Sequence, residues 1–137
     1  MHFPRAMSLA ALVVLFAVAV YAQGSKPLNE RIPKANPNLY RAVLDGRDWK
    51  NPFLIVHRDG VEIVVSGTQR QGIIPLASVP EALERLPDSA WPFGLVVALA
   101  DEGVQVVGDG PPIKQNREQL LSLLGKLHIA VELWPSA

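Results

Sequence analysis

The sequence predicts an α+β fold of two layers, in which a mixed sheet of about five strands carries two helices on one face. Three observations lead to this prediction. Short apolar runs rich in valine and isoleucine alternate with two helical patterns, in the order β-β-α-β-β-α-β. Both helical patterns have a single strongly apolar face, so both helices should pack on a sheet. The chain contains no cysteine, so a hydrophobic core and not a disulfide framework must hold the fold together.

The first element along the chain is an apolar stretch, residues 6–22, which follows Arg5 and carries no charge. Residues 1–22 are predicted to be a secretory signal peptide with cleavage after Ala22, because small or aliphatic residues stand at the positions that a signal peptidase reads. A signal anchor is the alternative, since the 17 residues of this stretch are near the lower limit for a spanning helix. The basic residues that soon follow the stretch outnumber Arg5, which favours removal over anchoring.

Residues 23–48 are predicted to be a proline-rich linker, because Pro27, Pro33 and Pro37 lie among polar residues that have little to bury. Residues 49–137 then form the single α+β domain. Removal of residues 1–22 leaves 115 of the 137 residues, which is enough for one domain with a real core and too few for two.

A β-hairpin is predicted where the domain begins. Two apolar, β-prone runs at 53–56 and 61–65 flank the pair Asp59-Gly60. An Asp-Gly pair favours a type I′ turn, because both central positions of that turn need positive φ. In the second run Glu62 alternates with apolar residues, as expected of a strand with one face toward the core.

Each of the two predicted helices shows a cap signal and one leucine-rich stripe. The first is predicted over 78–86, with Ser78 and Glu81 at capping-box spacing. The second is predicted to begin near Asn116, after a rigid polar loop of glycine and proline at 108–112. Apolar residues at helical spacing place the stripe of each helix against the sheet.

Three further strands complete the predicted sheet. Residues 95–99 form a continuous apolar run, which is typical of a strand that is covered on both faces or central in its sheet. Residues 104–107 are expected to pair back on it as a second hairpin. The alternating run at 129–133 gives the last strand, which the second helix joins to its predecessor.

The balance of charge makes nucleic acid an unexpected partner. The chain has 13 basic and 13 acidic residues, and removal of residues 1–22 leaves 12 against 13, so no basic field attracts phosphate backbones. A nucleophile elbow, a glycine-rich phosphate loop and EF-hand spacing are all missing from the sequence. The sequence therefore predicts no catalytic residue, no cofactor and no metal site.

Three tryptophans are the candidate interaction residues: Trp49, Trp91 and Trp134. All three lie at the edges of predicted elements. Packing in the core or at its rim is the ordinary role of such residues. Contact with a partner is the alternative, because tryptophan is enriched among interface hot spots.

A second group of candidates is polar. Asp101, Glu102 and Asp109 could gather around the second predicted hairpin and bind a hard cation, although solvated turn carboxylates are the ordinary form of such a pattern. His57 is expected to end a strand and His128 to follow a helix. Nothing in the spacing of these two histidines brings them together as a catalytic or metal-binding pair.

Four local sequences carry a resemblance to a known family: the Asp59-Gly60 hairpin, Ile74-Pro75-Leu76, Val96-Val97-Ala98-Leu99-Ala100-Asp101 and Gly125-Lys126-Leu127-His128-Ile129. With this order of elements, the chain resembles the ExbD/TolR family of biopolymer-transport envelope proteins from about residue 6 to residue 133. The family combines one membrane segment, a proline-rich linker and a small periplasmic α+β domain. Its energy-coupling members carry an aspartate within the membrane segment. Residues 6–22 have no such acid, so proton coupling does not carry over.

Together these observations predict an exported, non-enzymatic envelope protein that acts through protein interaction. Its location is expected to be periplasmic or extracellular, with tethering to the inner membrane if residues 6–22 are retained. The expected partner is another envelope protein or a second copy of the chain. The alternative is a secreted small-ligand-binding protein or hydrolase that uses the 108–112 loop and the nearby carboxylates.

Overall fold

The computed structural model describes residues 26–67, 70–103 and 108–135. It has a mixed five-stranded sheet with helices, which confirms the predicted α+β class. The strands are β1 (Phe53–His57), β2 (Gly60–Val64), β3 (Ile73–Ile74), β4 (Val96–Asp101) and β5 (Ala130–Leu133). The helices are α1 (Leu28–Arg31), α2 (Val79–Glu84) and α3 (Gly110–Lys126). Among the described residues, no helix has the length and apolar character that crossing a membrane requires.

The sheet has the order β3-β2-β1-β4-β5. β2 is antiparallel to β1 and β3, whereas β4 runs parallel to both of its neighbours, β1 and β5. The central position of β4 agrees with its continuous apolar run, and only its last residue is more than slightly exposed. The sequence does not predict β3, because two isoleucines are too short a run to indicate a strand. The strand predicted at 104–107 lies outside the described residues.

α2 and α3 cover one face of the sheet, as predicted. The side chains of Leu54 and Val56 in β1 and of Val97 and Leu99 in β4 point to this face, at the alternate positions that a pleated strand requires. They pack against helix residues that are equally buried, namely Val79, Leu83, Ile113, Leu120 and Leu124. This layer is the main hydrophobic core.

The segment predicted as a linker packs against the domain. Leu28 and Ile32 are 2% and 4% exposed and belong to the main core. Lys34 forms a parallel bridge with Leu95, just before β4. The expectation that residues 23–48 have little to bury is therefore wrong for the described part, 26–48. The prolines limit helix in this segment to the single turn of α1 and two 3₁₀ turns, but the apolar side chains between them still pack.

The predicted hairpin forms with a different turn. The register pairs His57 with Gly60, so Arg58 and Asp59 are the loop residues, and neither has positive φ. Gly60 has φ of 153°, and a Cβ at this position would lie 2.1 Å from the carbonyl oxygen of Ile74 in β3. Gly60 thus allows a close approach of two strands, and it is not a central residue of a type I′ turn.

The first helix begins differently from its predicted cap. A 3₁₀ turn, Leu76–Ser78, leads directly into α2, so Ser78 already has helical backbone angles and makes no capping hydrogen bond. Glu81 pairs with Arg85, one turn along the helix. The capping box is therefore wrong, because the 3₁₀ turn takes the place of a cap.

The second helix begins six residues before its predicted start, at Gly110 instead of Asn116. Two prolines stand in its first turn, where their missing N–H groups would have no partner within the helix in any case. Asn116 is consequently inside α3. Its Nδ2 donates to the carbonyl oxygens of His57 and Arg58, both at 2.9 Å, and so ties the helix to the hairpin.

Candidate functional site

The structure separates the three candidate tryptophans. Trp49 and Trp91 are each 3% exposed, whereas Trp134 is partly exposed. Trp91 lies in the main core, where its indole N–H has no hydrogen-bond partner among the described residues. The indole N–H of Trp49 donates to the carbonyl oxygen of Pro52 at 3.2 Å. Of the three, Trp134 is the one whose ring is placed to meet a partner.

An aromatic cluster joins two of these tryptophans on the second face of the sheet, opposite α2 and α3. The ring of Trp49 lies 5.4 Å from Tyr40, 5.1 Å from Phe93 and 6.2 Å from Trp134, measured between centroids. The rings meet edge to face, which is the favoured arrangement of aromatic pairs. The cluster therefore joins the N-terminal segment, the loop before β4 and the end of β5.

Asn51 fixes the same region through a buried amide. Its side chain is 1% exposed, and Oδ1 accepts from the N–H of Phe93 at 2.8 Å. Nδ2 donates to the carbonyl oxygens of Gly94 and Val96, at 2.7 and 2.8 Å. Both amide hydrogens and the amide oxygen are thus used, so Asn51 sets the conformation of the loop before β4 and is not free to bind a ligand.

β5 is an edge strand of the described sheet, with β4 on one side. Because Ala130 and Trp134 donate their N–H groups toward β4, Val131 and Leu133 turn their N–H and C=O groups to the open side. Leu133 is 65% exposed, and Leu44 of the N-terminal segment is 90% exposed. Both leucines line a cleft of about 260 Å³ together with Trp134. We call the open side of β5 with Leu44, Leu133 and Trp134 the β5-edge patch.

A second cleft, of about 420 Å³, is also lined by Leu133 and Trp134 of the patch and extends to α3. Asp101 and Arg117 line it and form an ion pair with each other. Oδ1 of Asp101 is buried and has no hydrogen-bond partner among the described residues. The β5-edge patch therefore has a cleft on either side, and both clefts combine apolar side chains with charged ones: Arg41 and Glu132 in the first, Asp101 and Arg117 in the second.

The acidic candidates do not converge on a common point. Each carboxylate faces its own basic side chain: Asp101 faces Arg117, Glu102 faces His57 and Asp109 faces Arg58. A hard cation needs several carboxylate oxygens around one position, and here the three acids face different partners. Within the described ranges, no group of three histidine, cysteine or acidic side chains has a geometry that could hold a metal ion.

The two histidines lie at opposite ends of the parallel strands. His57 ends β1, whereas His128 precedes β5 and has φ of 61°. The N–H of His128 donates to the carbonyl oxygen of Gly125, and that of Ile129 donates to Leu124, which is the Schellman pattern at the end of α3. His128 therefore terminates a helix, as predicted, and is too far along the strands to act with His57.

A cluster of charged and polar side chains surrounds the buried Glu62 at the hairpin. Glu62 is 6% exposed, and Arg70 donates from Nε to its Oε2 at 2.5 Å and from Nη2 to its Oε1 at 2.6 Å. Nε2 of His57 lies 3.3 Å from Oε1 of Glu62, and Nδ1 lies 2.8 Å from Oε2 of Glu102. Both ring nitrogens of His57 therefore face carboxylate oxygens. We refer to these four residues as the charge cluster.

Arg70 sets the ionisation of Glu62. Its hydrogen bond holds the pKa of the Glu62 carboxyl below the ordinary value, and His57 acts in the same direction, whereas burial opposes both. The same pairing raises the pKa of the Arg70 guanidinium. Both oxygens of Glu62 accept hydrogen bonds, which favours a fixed structural charge over a general base.

Sequence reasoning misses Glu62 and Arg70. Alternation with apolar neighbours indicates that Glu62 faces solvent. The pairing of the two hairpin strands, however, would have indicated that Glu62 lies close to His57. The register of the hairpin makes His57 and Glu62 diagonal neighbours on one face of the sheet, within reach of each other. No such signal exists for Arg70, because it lies in a loop without periodic pattern.

Comparison with known proteins assigns no family to these sites: no family model, no curated protein and no solved structure matches the chain. The resemblance to the ExbD/TolR family therefore stays a prediction. Any function must be inferred from the β5-edge patch, the clefts beside it and the charge cluster.

Proposed function

We propose that this chain is an exported, non-enzymatic protein of the cell envelope that acts through protein interaction at the β5-edge patch. The observation that carries the proposal is the combination of an open strand edge with Leu44 and Leu133, which are 90% and 65% exposed. Open strand edges pair with other chains unless they are covered or blocked. Contiguous exposed apolar side chains are typical of protein contact sites.

The chemistry of the patch suits an added strand. An extended segment would bind the outward N–H and C=O groups of Val131 and Leu133, and its alternate side chains would meet the two clefts. Trp134, which is partly exposed between these clefts, would be the anchor. Glu132 is exposed on β5, so a partner strand that placed an acid directly opposite it would be disfavoured.

Three further observations support the proposal. The apolar stretch at 6–22 supports export, and the order of elements supports a role similar to that of the ExbD/TolR family without proton coupling. Pairing of each candidate carboxylate with its own basic side chain favours interaction over hydrolysis. The partner in this proposal is another envelope protein or a second copy of the chain.

Site-specific photo-crosslinking of the full chain in its native host tests this proposal. A benzophenone amino acid at position 133 is expected to give a discrete adduct in the envelope fraction. The same group at position 85, an exposed arginine at the end of α2, is the control and should give none. An adduct of twice the chain mass identifies a second copy, and any other mass identifies a different partner.

A second variant separates contact from chance proximity. Leu133→Asp places a charge on the patch and should abolish the adduct formed from position 44, because both residues line one cleft. Leu133 is exposed, so this change should leave the circular dichroism and the melting temperature close to those of the parent. Equal adducts from positions 85 and 133, or persistence of the position-44 adduct in Leu133→Asp, would contradict the proposal.

A further inference from the structure

Among the described residues, nothing covers the second face of the sheet between the aromatic cluster and the charge cluster. A groove of about 410 Å³ lies there, within the size range of small-molecule sites. Its apolar lining comes from β1, β2 and the segment before β1: Trp49, Phe53, Ile55, Val64 and Val65. Trp49 is already buried, whereas the other four are partly exposed, so an apolar ligand body that covers them would remove apolar surface from water.

The charged side chains that line the groove are both arginines. Arg47 is 89% exposed in its side chain and Arg70 is 62% exposed. Their acidic partners, Asp45 and Glu62, do not line the groove. The described lining therefore presents two cations and no anion, together with small polar groups such as Ser66.

Both arginines are held in position and still have donors to offer. Asp45 is bound by Nε and Nη2 of Arg47, and Glu62 is bound by Nε and Nη2 of Arg70. A guanidinium has five N–H donors, and within the described part of the chain the two on Nη1 of each arginine bind no acid, so they can serve a second anion. Because the carboxylates already restrict both side chains, less side-chain entropy is lost when a ligand binds.

We propose that this groove binds a small anionic amphiphile, specifically a monocarboxylate with an apolar chain. The chain would lie on Trp49, Phe53 and Ile55, the carboxylate would accept hydrogen bonds from Arg47, and Arg70 would add positive charge to the same groove. Asn51 also lines the groove, but its amide is fully used within the protein, so recognition depends on charge and apolar contact. This proposal is independent of the β5-edge patch.

Titration of the purified full chain with dodecanoate, below its micelle concentration, tests the proposal. Trp49 lines the groove, so its fluorescence should change and saturate, and calorimetry should give one molecule per chain. Arg47→Gln should weaken binding about three- to tenfold, as expected for one exposed charge-assisted contact. Arg47 is the residue to change, because loss of Arg70 would leave Glu62 buried without its partner.

Arg85→Gln is the matched control, since Arg85 is also exposed and paired with an acid but lies outside the groove. It should bind dodecanoate as the parent does. All variants share residues 1–25, so any binding by that stretch cancels in the comparison. Dodecanol and dodecyltrimethylammonium, which have the same chain without the carboxylate, should bind at least tenfold more weakly than dodecanoate.

Val64→Glu, which adds a negative charge to the lining, should remove saturable dodecanoate binding and serves as a second variant. Three results would each overturn the proposal: no saturable binding by the parent, equal affinity of Arg47→Gln and Arg85→Gln, or equal affinity for the carboxylate and the ammonium compound. None of these results would alter the crosslink expected from position 133, so the two proposals fail separately.

Discussion

Glu62 is a charged side chain in the middle of a strand, yet it is buried. The structure accommodates it because Arg70 binds both carboxylate oxygens and His57 faces one of them. Burial of a lone carboxylate is costly, whereas burial of a hydrogen-bonded pair with one exposed partner is much less so. The stability of the hairpin therefore depends on the ionisation of this one residue.

Glu62→Gln is expected to reduce the free energy of unfolding by about 1–3 kcal/mol at pH 7, because the two charge-assisted hydrogen bonds from Arg70 are lost. The loss is not larger because Arg70 is exposed, and water weakens its interaction with Glu62. The sign of the pH dependence follows from the pKa of Glu62, which is lowered from 4.5 in the folded state. The contribution of Glu62 is present above pH 4.5 and is lost as the pH falls through the folded-state pKa. Chemical denaturation between pH 7 and pH 3 measures it.

Glu81→Gln is the control for this prediction. Glu81 also pairs with an arginine, but both partners are exposed, so its replacement should change stability by less than about 0.5 kcal/mol at either pH. A difference between Glu62→Gln and the parent that stays constant from pH 7 to pH 3 would contradict the assigned role of the Glu62 charge.

Elements with a continuous periodic pattern are the part of the fold that can be predicted from sequence. β1, β2, β4 and the body of α3 lie where alternation or a leucine stripe places them. Their ends cannot be predicted in the same way. The start of α3 depends on two prolines that suit the first turn, and the start of α2 depends on a 3₁₀ turn that replaces the cap.

Gly94 lies where the N-terminal segment, residues 26–48, packs against the start of β4. It has φ of 84°, and a Cβ there would lie 2.3 Å from the carbonyl oxygen of Lys34. Gly94→Ala should therefore lower the free energy of unfolding by about 2–4 kcal/mol through backbone strain and this clash. Limited proteolysis should cut first within 26–48, because the change displaces that segment from Leu95.

Gly125→Ala provides the matched comparison. Gly125 lies inside α3, and nothing comes within 4 Å of a Cβ at this position. Alanine there should raise stability by about 0.5–1 kcal/mol, since glycine is unfavourable within a helix. If Gly94→Ala were as stable as Gly125→Ala, close packing of the N-terminal segment would not contribute to the fold.

At the scale of the whole molecule, the sheet has two differently built faces. Helices cover one face, and a proline-rich segment with an aromatic cluster covers part of the other. The sequence predicts the helical face, because its stripes are periodic. It does not predict the second cover, because Leu28, Ile32 and Tyr40 follow no period and pack only through the tertiary fold. For the same reason, the β5-edge patch and the position of Arg70 could not be predicted, whereas the register of the hairpin alone places His57 beside Glu62.

The proposed export of the chain leads to one prediction for the whole molecule. Intact mass spectrometry of the protein from its native host should give the mass of a chain that begins at Gln23, because cleavage is expected after Ala22. Ala22→Arg should block this cleavage and give the full-length mass. A full-length mass for the parent would instead support the signal anchor.

Burial of Leu28 also limits how far the domain can stand from a bilayer that retains residues 6–22. A free linker over 23–48 would extend to about 90 Å, whereas the five residues that precede Leu28 extend to about 17 Å at most. The anchored form would thus be confined to a shallow layer above the lipid headgroups. A partner of that form must come to the membrane surface, whereas the cleaved form can diffuse through the compartment to reach its partner.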